Sequence, residues 1–331
     1  MSPVIDAKDG SGTTSSTLLT VGFVLLLAVI PSVPAGASTG SPRSVDGAVN
    51  VAEPPYRAFQ DASWWNTPLP VDAPEARRSA LWMADLAATT KVPWLRLTGL
   101  PDRSPDVALP MYVSQPTDPA YTVVPARGPV VTIHIPLGAT PTAVYKPKMV
   151  VFDTATDQGV GLFDVHCCWT AGGVDRYYLS SEGLHYRAGG TYGNEGHRGA
   201  PMVEKSPRLV EVTAGWIAHR TECYVPPRQV GIASVWPMVG SDGNLKGGIP
   251  EGVVLRIRPT VDLSTRGLSP AALVLAHMLQ DYGCMVSDGG APAEATLKLE
   301  RADWSATGLT GDSLSSLLWS DWEFVRGRPA T

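Results

Sequence analysis

The chain has little charge and few cysteines, and it has no long hydrophobic run. Charged residues make up 17% of its 331 residues, and the formal net charge is −5. There is no basic block of the kind that binds nucleic acid. Beyond the N-terminal region, no apolar run is long enough to cross a bilayer. We therefore expect neither a nucleic-acid partner nor a membrane span in the body of the chain.

Several short signatures of known chemistry are missing as well. After the N-terminal region there is no Gly-x-Ser-x-Gly elbow of a serine hydrolase and no Gly-Lys-Ser/Thr phosphate loop. Neither Cys-x2-Cys nor His-Glu-x-x-His, two common zinc-binding patterns, occurs. We therefore expect no metal and no cofactor.

The N-terminal segment indicates export. Residues 18–30, "LLTVGFVLLLAVI", form a 13-residue apolar run. That length suits a signal peptide better than a membrane span, and the small residues at 35–37 offer a cleavage site after Ala37. The charge before the run is balanced rather than positive, so an uncleaved anchor is the alternative for residues 1–37. In both cases we expect the mature chain outside the cell or at its surface, touching membrane only through this segment.

The rest of the chain divides into a linker and one domain. Residues 38–58 are small, polar and rich in proline, which is typical of a flexible linker. Residues 59–331 contain no internal repeat and no strong boundary. We expect them to form a single β-rich domain.

Short runs rich in Val, Ile and Tyr dominate the chain from residue 108 onward. Gly, Pro, Asp and Asn separate these runs, and no long helices intervene. The pattern predicts a mainly β fold, an antiparallel sandwich or jelly roll with a few peripheral helices. The predicted strands include "KMVVFD", "VGLFDVH", "RLVEVT", "VVLRIRP", "CMVSD" and "ATLKLE".

Three helices are predicted around this sheet structure. One begins at Pro74 or Glu75 and runs to about Thr89. A second has Ser269 as its N-cap and Pro270 in its first turn, and Gly283 closes it. A third, short and amphipathic, is expected within residues 311–326.

The four cysteines are expected to form disulfides, because export favours oxidation. A bond between the neighbours Cys167 and Cys168 would close a strained ring, so it is the least favoured pairing. We predict that Cys223 bonds to Cys167 or Cys168. A structural zinc site using cysteines with His166 and His219 is the weaker alternative.

Asp164 and His166 are candidate catalytic residues. In a regular strand they would share one face with Leu162, while Phe163 and Val165 would share the other. A carboxylate beside an imidazole raises its basicity and fixes its tautomer. The alternative is a solvated outer face that carries ordinary polar residues.

The segment 188–201, "AGGTYGNEGHRGAP", is the strongest candidate for a functional loop. It contains five glycines, so its backbone can approach a ligand closely. We predict that His197 and Arg198 lie within about 10 Å of Asp164 or His166, the span of a sugar-sized ligand. The alternative is an ordinary surface loop. Its candidate residues are Tyr192 and Asn194 for substrate binding and Glu195, His197 and Arg198 for catalysis.

Two further residues are candidates for substrate binding. His219 follows closely on the histidines between 166 and 197. Asp242 lies in the tight turn "SDGNLKGG", where it could bind a sugar hydroxyl or only its own backbone.

Four phrases resemble a group of secreted proteins of GC-rich Gram-positive bacteria that begin with a Trp-Asn-Thr-Pro-Leu/Ile-Pro segment. They are "WWNTPLPVDAP" at 64–74, "SDG" at 241–243, "PEGVVLRIRP" at 250–259 and "LSPAALVLAHMLQDYGCMVSD" at 268–288. The resemblance implies export and a single β-rich domain. It carries over no catalytic residue.

These observations predict an exported protein that acts on extracellular or cell-envelope polysaccharide. In a lyase, Arg198 and Asn194 would neutralise a uronate carboxylate while His197, His166 or Tyr192 moves the proton. In a glycoside hydrolase, Asp164 and Glu195 would be the two carboxyl groups. A non-catalytic glycan-binding or envelope-associated module is the alternative.

Overall fold

The computed structural model describes residues 57–143, 146–166, 169–184 and 198–327. All of them belong to one compact unit of the chain. The predicted export segment and the linker up to residue 56 lie outside the described residues. So do Cys167, Cys168 and residues 185–197, which include residues 188–197 of the predicted loop.

The described residues form fourteen strands and three α-helices. The mainly β class with few helices is therefore confirmed. The helices are α1 (Ser79–Thr89), α2 (Leu209–Ala214) and α3 (Pro270–Asp281). The strands are β1 (Arg96–Thr98), β2 (Met111–Ser114), β3 (Ala120–Pro125), β4 (Val131–His134), β5 (Lys148–Asp153), β6 (Gln158–His166), β7 (Thr170–Tyr178), β8 (Thr221–Val225), β9 (Val230–Ser234), β10 (Ile249–Glu251), β11 (Val254–Ile257), β12 (Cys284–Gly289), β13 (Thr296–Lys298) and β14 (Trp322–Val325).

Two six-stranded sheets carry the fold. The first has the order β1-β13-β8-β12-β11-β14 and the second the order β2-β5-β6-β7-β3-β4, with β9 and β10 forming a small separate pair. Both large sheets are mixed, because β8 runs parallel to β12 and β2 parallel to β5. Such pairs need long crossover connections, which α3 and the β3–β4 hairpin supply here. The pairing thus differs from the uniformly antiparallel one expected.

Three apolar cores lie around the two sheets. On one face of the first sheet, α1 and α3 pack through side chains such as Leu86 and Leu275. Between the sheets, Val254 and Met285 of the first meet Val150 and Phe152 of the second. The third core lies within the second sheet itself. The space between the sheets is therefore lined by both of them, and the candidate site lies there.

The helix around residue 270 is confirmed with its cap. The Ser269 hydroxyl accepts a hydrogen bond from the Ala272 backbone N–H at 3.3 Å, and Gly283 follows the helix with φ +69°. The first helix begins later than predicted, at Ser79, because residues 75–76 instead extend the edge of the first sheet. Glu75 bridges Val325 there.

Two predictions about local structure are wrong. "RLVEVT" contains helix α2 and not a strand, since the Glu211 side chain accepts the Arg208 backbone N–H at 2.9 Å and so caps the first turn. The tail contains strand β14 where a helix was expected. Trp322 pairs with Ile257 and Val325 with Val254, so β11 imposes the extended conformation.

One long-range disulfide is present, but its pairing differs from the prediction. Cys223 bonds to Cys284, with a Cα–Cα distance of 5.5 Å. The two residues lie on the parallel neighbours β8 and β12, and Cys223 sits opposite Val286, two residues beyond Cys284. The predicted bond from Cys223 to Cys167 or Cys168 is therefore wrong, because sheet order brings Cys284 to Cys223.

The Trp-Asn-Thr segment is anchored by Arg220. This guanidinium is fully buried, stacks 3.9 Å from the centre of the Trp64 ring and donates to the Thr67 and Tyr282 carbonyl oxygens at 3.3 and 2.8 Å. It also donates to the Trp64 carbonyl. Burial lowers the pKa of Arg220 to about 9. The segment around residues 57–70 is thus held to the body by a buried cation that bonds carbonyl groups.

Candidate active site between the sheets

Asp164 and His166 lie side by side at the end of β6, as predicted from the strand spacing. His166 Nε2 is 3.4 Å from Asp164 Oδ1, and the two side chains are 63% and 45% exposed. They are accessible to a ligand. Their catalytic role remains a prediction.

Strand β6 does not keep a regular alternation at this point. Asp164 has φ +52°, and both Leu162 and Val165 are buried in the same core. Across the sheet, a Cβ atom on Gly172 would lie 2.8 Å from the Asp164 Cβ, so only glycine leaves room. The prediction that Leu162 shares a face with Asp164 is therefore wrong, because a left-handed residue interrupts the two-residue period.

Arg198 and Asp242 form an ion pair, although the sequence analysis gave them separate roles. Both side chains are about half exposed. The Val239 backbone N–H donates to the Arg198 carbonyl at 2.9 Å, which fixes the turn against residues 239–242. Within the turn, the Ser241 hydroxyl accepts a hydrogen bond from the Gly243 backbone N–H at 3.0 Å. Asp242 is thereby left to hold Arg198.

Glu251, at the end of β10, lies next to the ion pair of Arg198 and Asp242. It is fully buried, and its Oε1 accepts the Asp242 backbone N–H at 3.2 Å. Burial, and secondly the charge of Asp288, raise the pKa of Glu251 to about 7. A carboxyl group with such a pKa can hold or release a proton near neutrality.

His219 lies in a buried ion network and not on a ligand-accessible surface. Its Nδ1 is 2.8 Å from Glu204 Oε2 and its Nε2 is 3.0 Å from Glu211 Oε1. Burial alone would lower the pKa of His219, but the charges of Glu211 and Glu204 outweigh it and raise the pKa to about 10. Both ring nitrogens are occupied by protein, so the geometry favours a structural role over the predicted substrate contact.

The remaining predicted residues, Tyr192, Asn194, Glu195 and His197, lie outside the described residues. Their roles stay predictions, and so does the predicted proximity of Arg198 to Asp164 or His166.

A group of polar side chains that the sequence analysis did not single out lies between the two sheets. We refer to it as the inter-sheet cluster. The first sheet supplies residues from β8, β12 and β13, and the second sheet and the segment after Pro201 supply two lysines. Its members are Lys148, Lys205, Glu222, Tyr224, Ser287, Asp288 and Lys298.

Glu222 anchors the inner end of the inter-sheet cluster. It is fully buried, and its Oε2 accepts hydrogen bonds from Lys205 Nζ at 2.7 Å and from the Ser287 hydroxyl at 2.6 Å. Burial would lower the pKa of Lys205, yet the charge of Glu222 outweighs it and raises the pKa. Lys205 therefore stays charged, and removing either partner would leave a buried charge unpaired.

Lys298, which is half-buried, contacts the buried Tyr224 within the inter-sheet cluster. Lys298 Nζ lies 4.7 Å from the centre of the Tyr224 ring. Burial, and then the charges of Lys205 and Lys148, lower the pKa of Lys298 to about 8. Burial raises the pKa of Tyr224, so its phenol stays protonated. A weakly basic amine thus lies beside a neutral proton donor.

Lys148 reaches the inter-sheet cluster from the second sheet. Its Nζ lies 5.5 Å from the centre of the Phe163 ring, next to Asp164 in the chain. Burial, and then the charge of Lys205, lower the pKa of Lys148. Lys148 thus links the inter-sheet cluster to strand β6 through Phe163.

The sequence carries one weak signal for this cluster. Charged residues stand inside short apolar strands, at Glu222 in "TECYV" and at Lys298 in "TLK". A charge in a buried strand needs a partner, and that partner is found only through the sheet order.

No group of three or more His, Cys, Asp or Glu side chains within the described ranges has the arrangement of a metal site. No helix in the described part of the chain is long and apolar enough to cross a membrane. No protein-family model, curated protein or solved structure matches the chain.

Proposed function

We propose that this protein is an exported enzyme that cleaves extracellular or cell-envelope polysaccharide, with the inter-sheet cluster as its active centre. The observation that carries the proposal is the contact between Lys298 and Tyr224, an amine with a pKa of about 8 beside a protonated phenol. Acid–base catalysis is most efficient when the catalytic pKa lies near the operating pH.

The wider surroundings of this pair support the proposal. Perturbed pKa values concentrate at functional sites, and here Lys148, Lys298 and Glu251 are all shifted by burial and by neighbouring charges. Arg198 and Asp242 supply half-exposed polar groups near Glu251. The cluster therefore combines proton donors, proton acceptors and charge stabilisers in one region.

Export and the substrate class rest on separate arguments. The Cys223–Cys284 disulfide suits an oxidising compartment, in line with the N-terminal apolar run. Polysaccharide as substrate rests on analogy, since β-sandwich domains often carry glycan sites. Among the described residues, Tyr178 is the one strongly exposed aromatic side chain, at 41%. A glycan-binding module would instead need several exposed aromatic rings.

The test is to incubate the purified protein with a panel of neutral and acidic polysaccharides and to measure new chain ends and product masses. Tyr224→Phe removes the proton donor and should lower the rate by about 100-fold or more. Tyr178→Phe removes an exposed phenol and is the matched control. If the protein binds one of the polymers but cleaves none, the proposal of an enzyme is wrong and that of a glycan-binding module takes its place.

A further inference from the structure

Two lysines of the inter-sheet cluster have no close ion-pair partner within the part of the chain that the structure describes, although the charges of Asp288 and Glu222 act on both of them. Lys205 is paired with Glu222, but neither Lys148 nor Lys298 forms an ion pair with another described residue. Each instead lies near an aromatic ring, Phe163 for Lys148 and Tyr224 for Lys298. Two positive charges that lie close together in a partly buried site raise the free energy of the folded protein, and a bound anion would lower it again.

The inter-sheet cluster has three lysines and two carboxylates, Glu222 and Asp288, so one positive charge is in excess when all three amines are protonated, and a neutral glycan would leave it unbalanced. A polysaccharide that carries carboxylates would balance it, and lysine is well suited to hold a carboxylate as a point charge. Building on the proposed function, we propose that the substrate is an acidic polysaccharide whose uronate carboxylate is bound by Lys148, and that Lys298 and Tyr224 cleave it by β-elimination.

The two amines would then have different tasks. Lys148 neutralises the carboxylate and so acidifies the neighbouring proton on carbon 5 of the sugar. The neutral Lys298 amine removes that proton, and the electron pair forms the double bond between carbons 4 and 5. The bond from carbon 4 to the glycosidic oxygen breaks, and the Tyr224 hydroxyl protonates the departing oxygen. Lys298 then passes its proton to the Tyr224 oxygen, and both groups return to the protonation states in which the reaction began.

Elimination fits the exposure of the groups better than hydrolysis does. Hydrolysis needs two carboxyl groups that reach the sugar. Of the groups with a raised pKa, Glu204 and Glu251 are buried, and Glu300 accepts a hydrogen bond from the Leu209 backbone N–H. Lys298 and Lys148 are both partly exposed and can contact a ligand without rearrangement of the sheets, while Tyr224, 6% exposed, acts from the buried side of the site.

The test compares a polyuronate with the same polymer after its carboxyl groups have been reduced to alcohols. The linkages are then identical and only the charge differs. Ultraviolet absorbance detects the unsaturated product, and calorimetry measures binding separately from cleavage. Wild-type protein should release unsaturated product from the polyuronate and should neither bind nor cleave the reduced polymer.

Three variants separate the roles. Lys148→Met should weaken polyuronate binding by about tenfold or more, because a buried charge contact is lost. Lys298→Met should keep binding within about twofold and lower kcat by about 100-fold or more. Lys91→Met, the same change at an exposed lysine, should match wild type.

The wild-type protein alone can overturn the inference, whatever the variants do. Saturated products from the polyuronate, or equal cleavage of the reduced polymer, would refute elimination at an acidic substrate while the proposed enzyme stands. If neither polymer nor any member of the wider panel is bound or cleaved, the proposed function itself fails.

Discussion

Lys298 and Tyr224 lie in contact on neighbouring strands, with the amine nitrogen 4.7 Å from the centre of the ring. Thr296 of β13 pairs with Tyr224 of β8, so the contact is fixed by sheet register. Burial lowers the pKa of Lys298 most, and the charges of Lys205 and Lys148 lower it further, while those of Glu222 and Asp288 raise it. The resulting pKa of about 8 leaves part of the Lys298 amine neutral, and therefore able to act as a base, near neutral pH.

The first prediction concerns pH. Lys298 accepts a proton only when neutral, so kcat/KM, which reports the free enzyme, should rise as the pH rises through about 8. Lys148→Met removes one of the repelling charges, which should move this midpoint to higher pH. The measurement is kcat/KM against pH for both proteins, and a midpoint that stays in place or moves down would speak against Lys298 as the base.

The second prediction concerns the disulfide. Cys223 and Cys284 are 61 residues apart, so their bond restricts a long loop of the unfolded chain. Replacing both with alanine should lower the free energy of unfolding by about 4 kcal/mol. Denaturant titration measures this, and peptide mapping under non-reducing conditions identifies the bond. A peptide that joins Cys223 to Cys167 or Cys168 would contradict the structure.

The third prediction concerns the buried histidine. The pKa of His219 is raised to about 10 in the folded protein, well above its ordinary value of 6.5. The stability from this proton is therefore fully present below pH 6.5 and is lost as the pH rises through about 10. The unfolding free energy should fall by up to about 1.4 kcal/mol per pH unit in that window.

A matched variant isolates this effect. His219→Gln leaves Glu204 and Glu211 without their shared cation, so it should cost about 3–5 kcal/mol at pH 6. The variant should also lack most of the alkaline slope. If its stability declines with pH as steeply as that of wild type, another group is responsible.

The fourth prediction concerns the anchor of the Trp-Asn-Thr segment. Arg220→Lys keeps a charge but loses the planar group that stacks on Trp64 and reaches several carbonyls. It should lower the unfolding free energy by about 3 kcal/mol and speed proteolysis near residues 57–70. Arg228→Lys, at an exposed arginine, is the control and should change neither quantity.

Much of the fold follows from local patterns in the sequence. The run "KMVVFD" matches β5 residue for residue, and the Ser269–Pro270 start of α3 is read from its capping chemistry. Local patterns fail where a neighbour decides the conformation. The tail around Trp322 becomes a strand because β11 offers its edge, and α2 forms because Glu211 caps it.

The candidate site could be predicted only in part. Asp164 and His166 lie close together because they are two residues apart in the chain, a local relationship, even though Asp164 interrupts the regular alternation of the strand. The inter-sheet cluster joins Lys148, Glu222 and Lys298 from strands far apart in the chain. Their meeting depends on the order β13-β8-β12 and on how the second sheet packs there. No spacing rule encodes that arrangement.

The most direct test of elimination at Lys298 and Tyr224 is to cleave a polyuronate oligomer of known mass and to weigh both products. Elimination adds no water to the broken bond, so the two product masses should sum to the mass of the starting oligomer, and the new non-reducing end should be unsaturated. Two saturated products whose summed mass exceeds that of the oligomer by one water per cleavage would show hydrolysis and would contradict the mechanism proposed for this site.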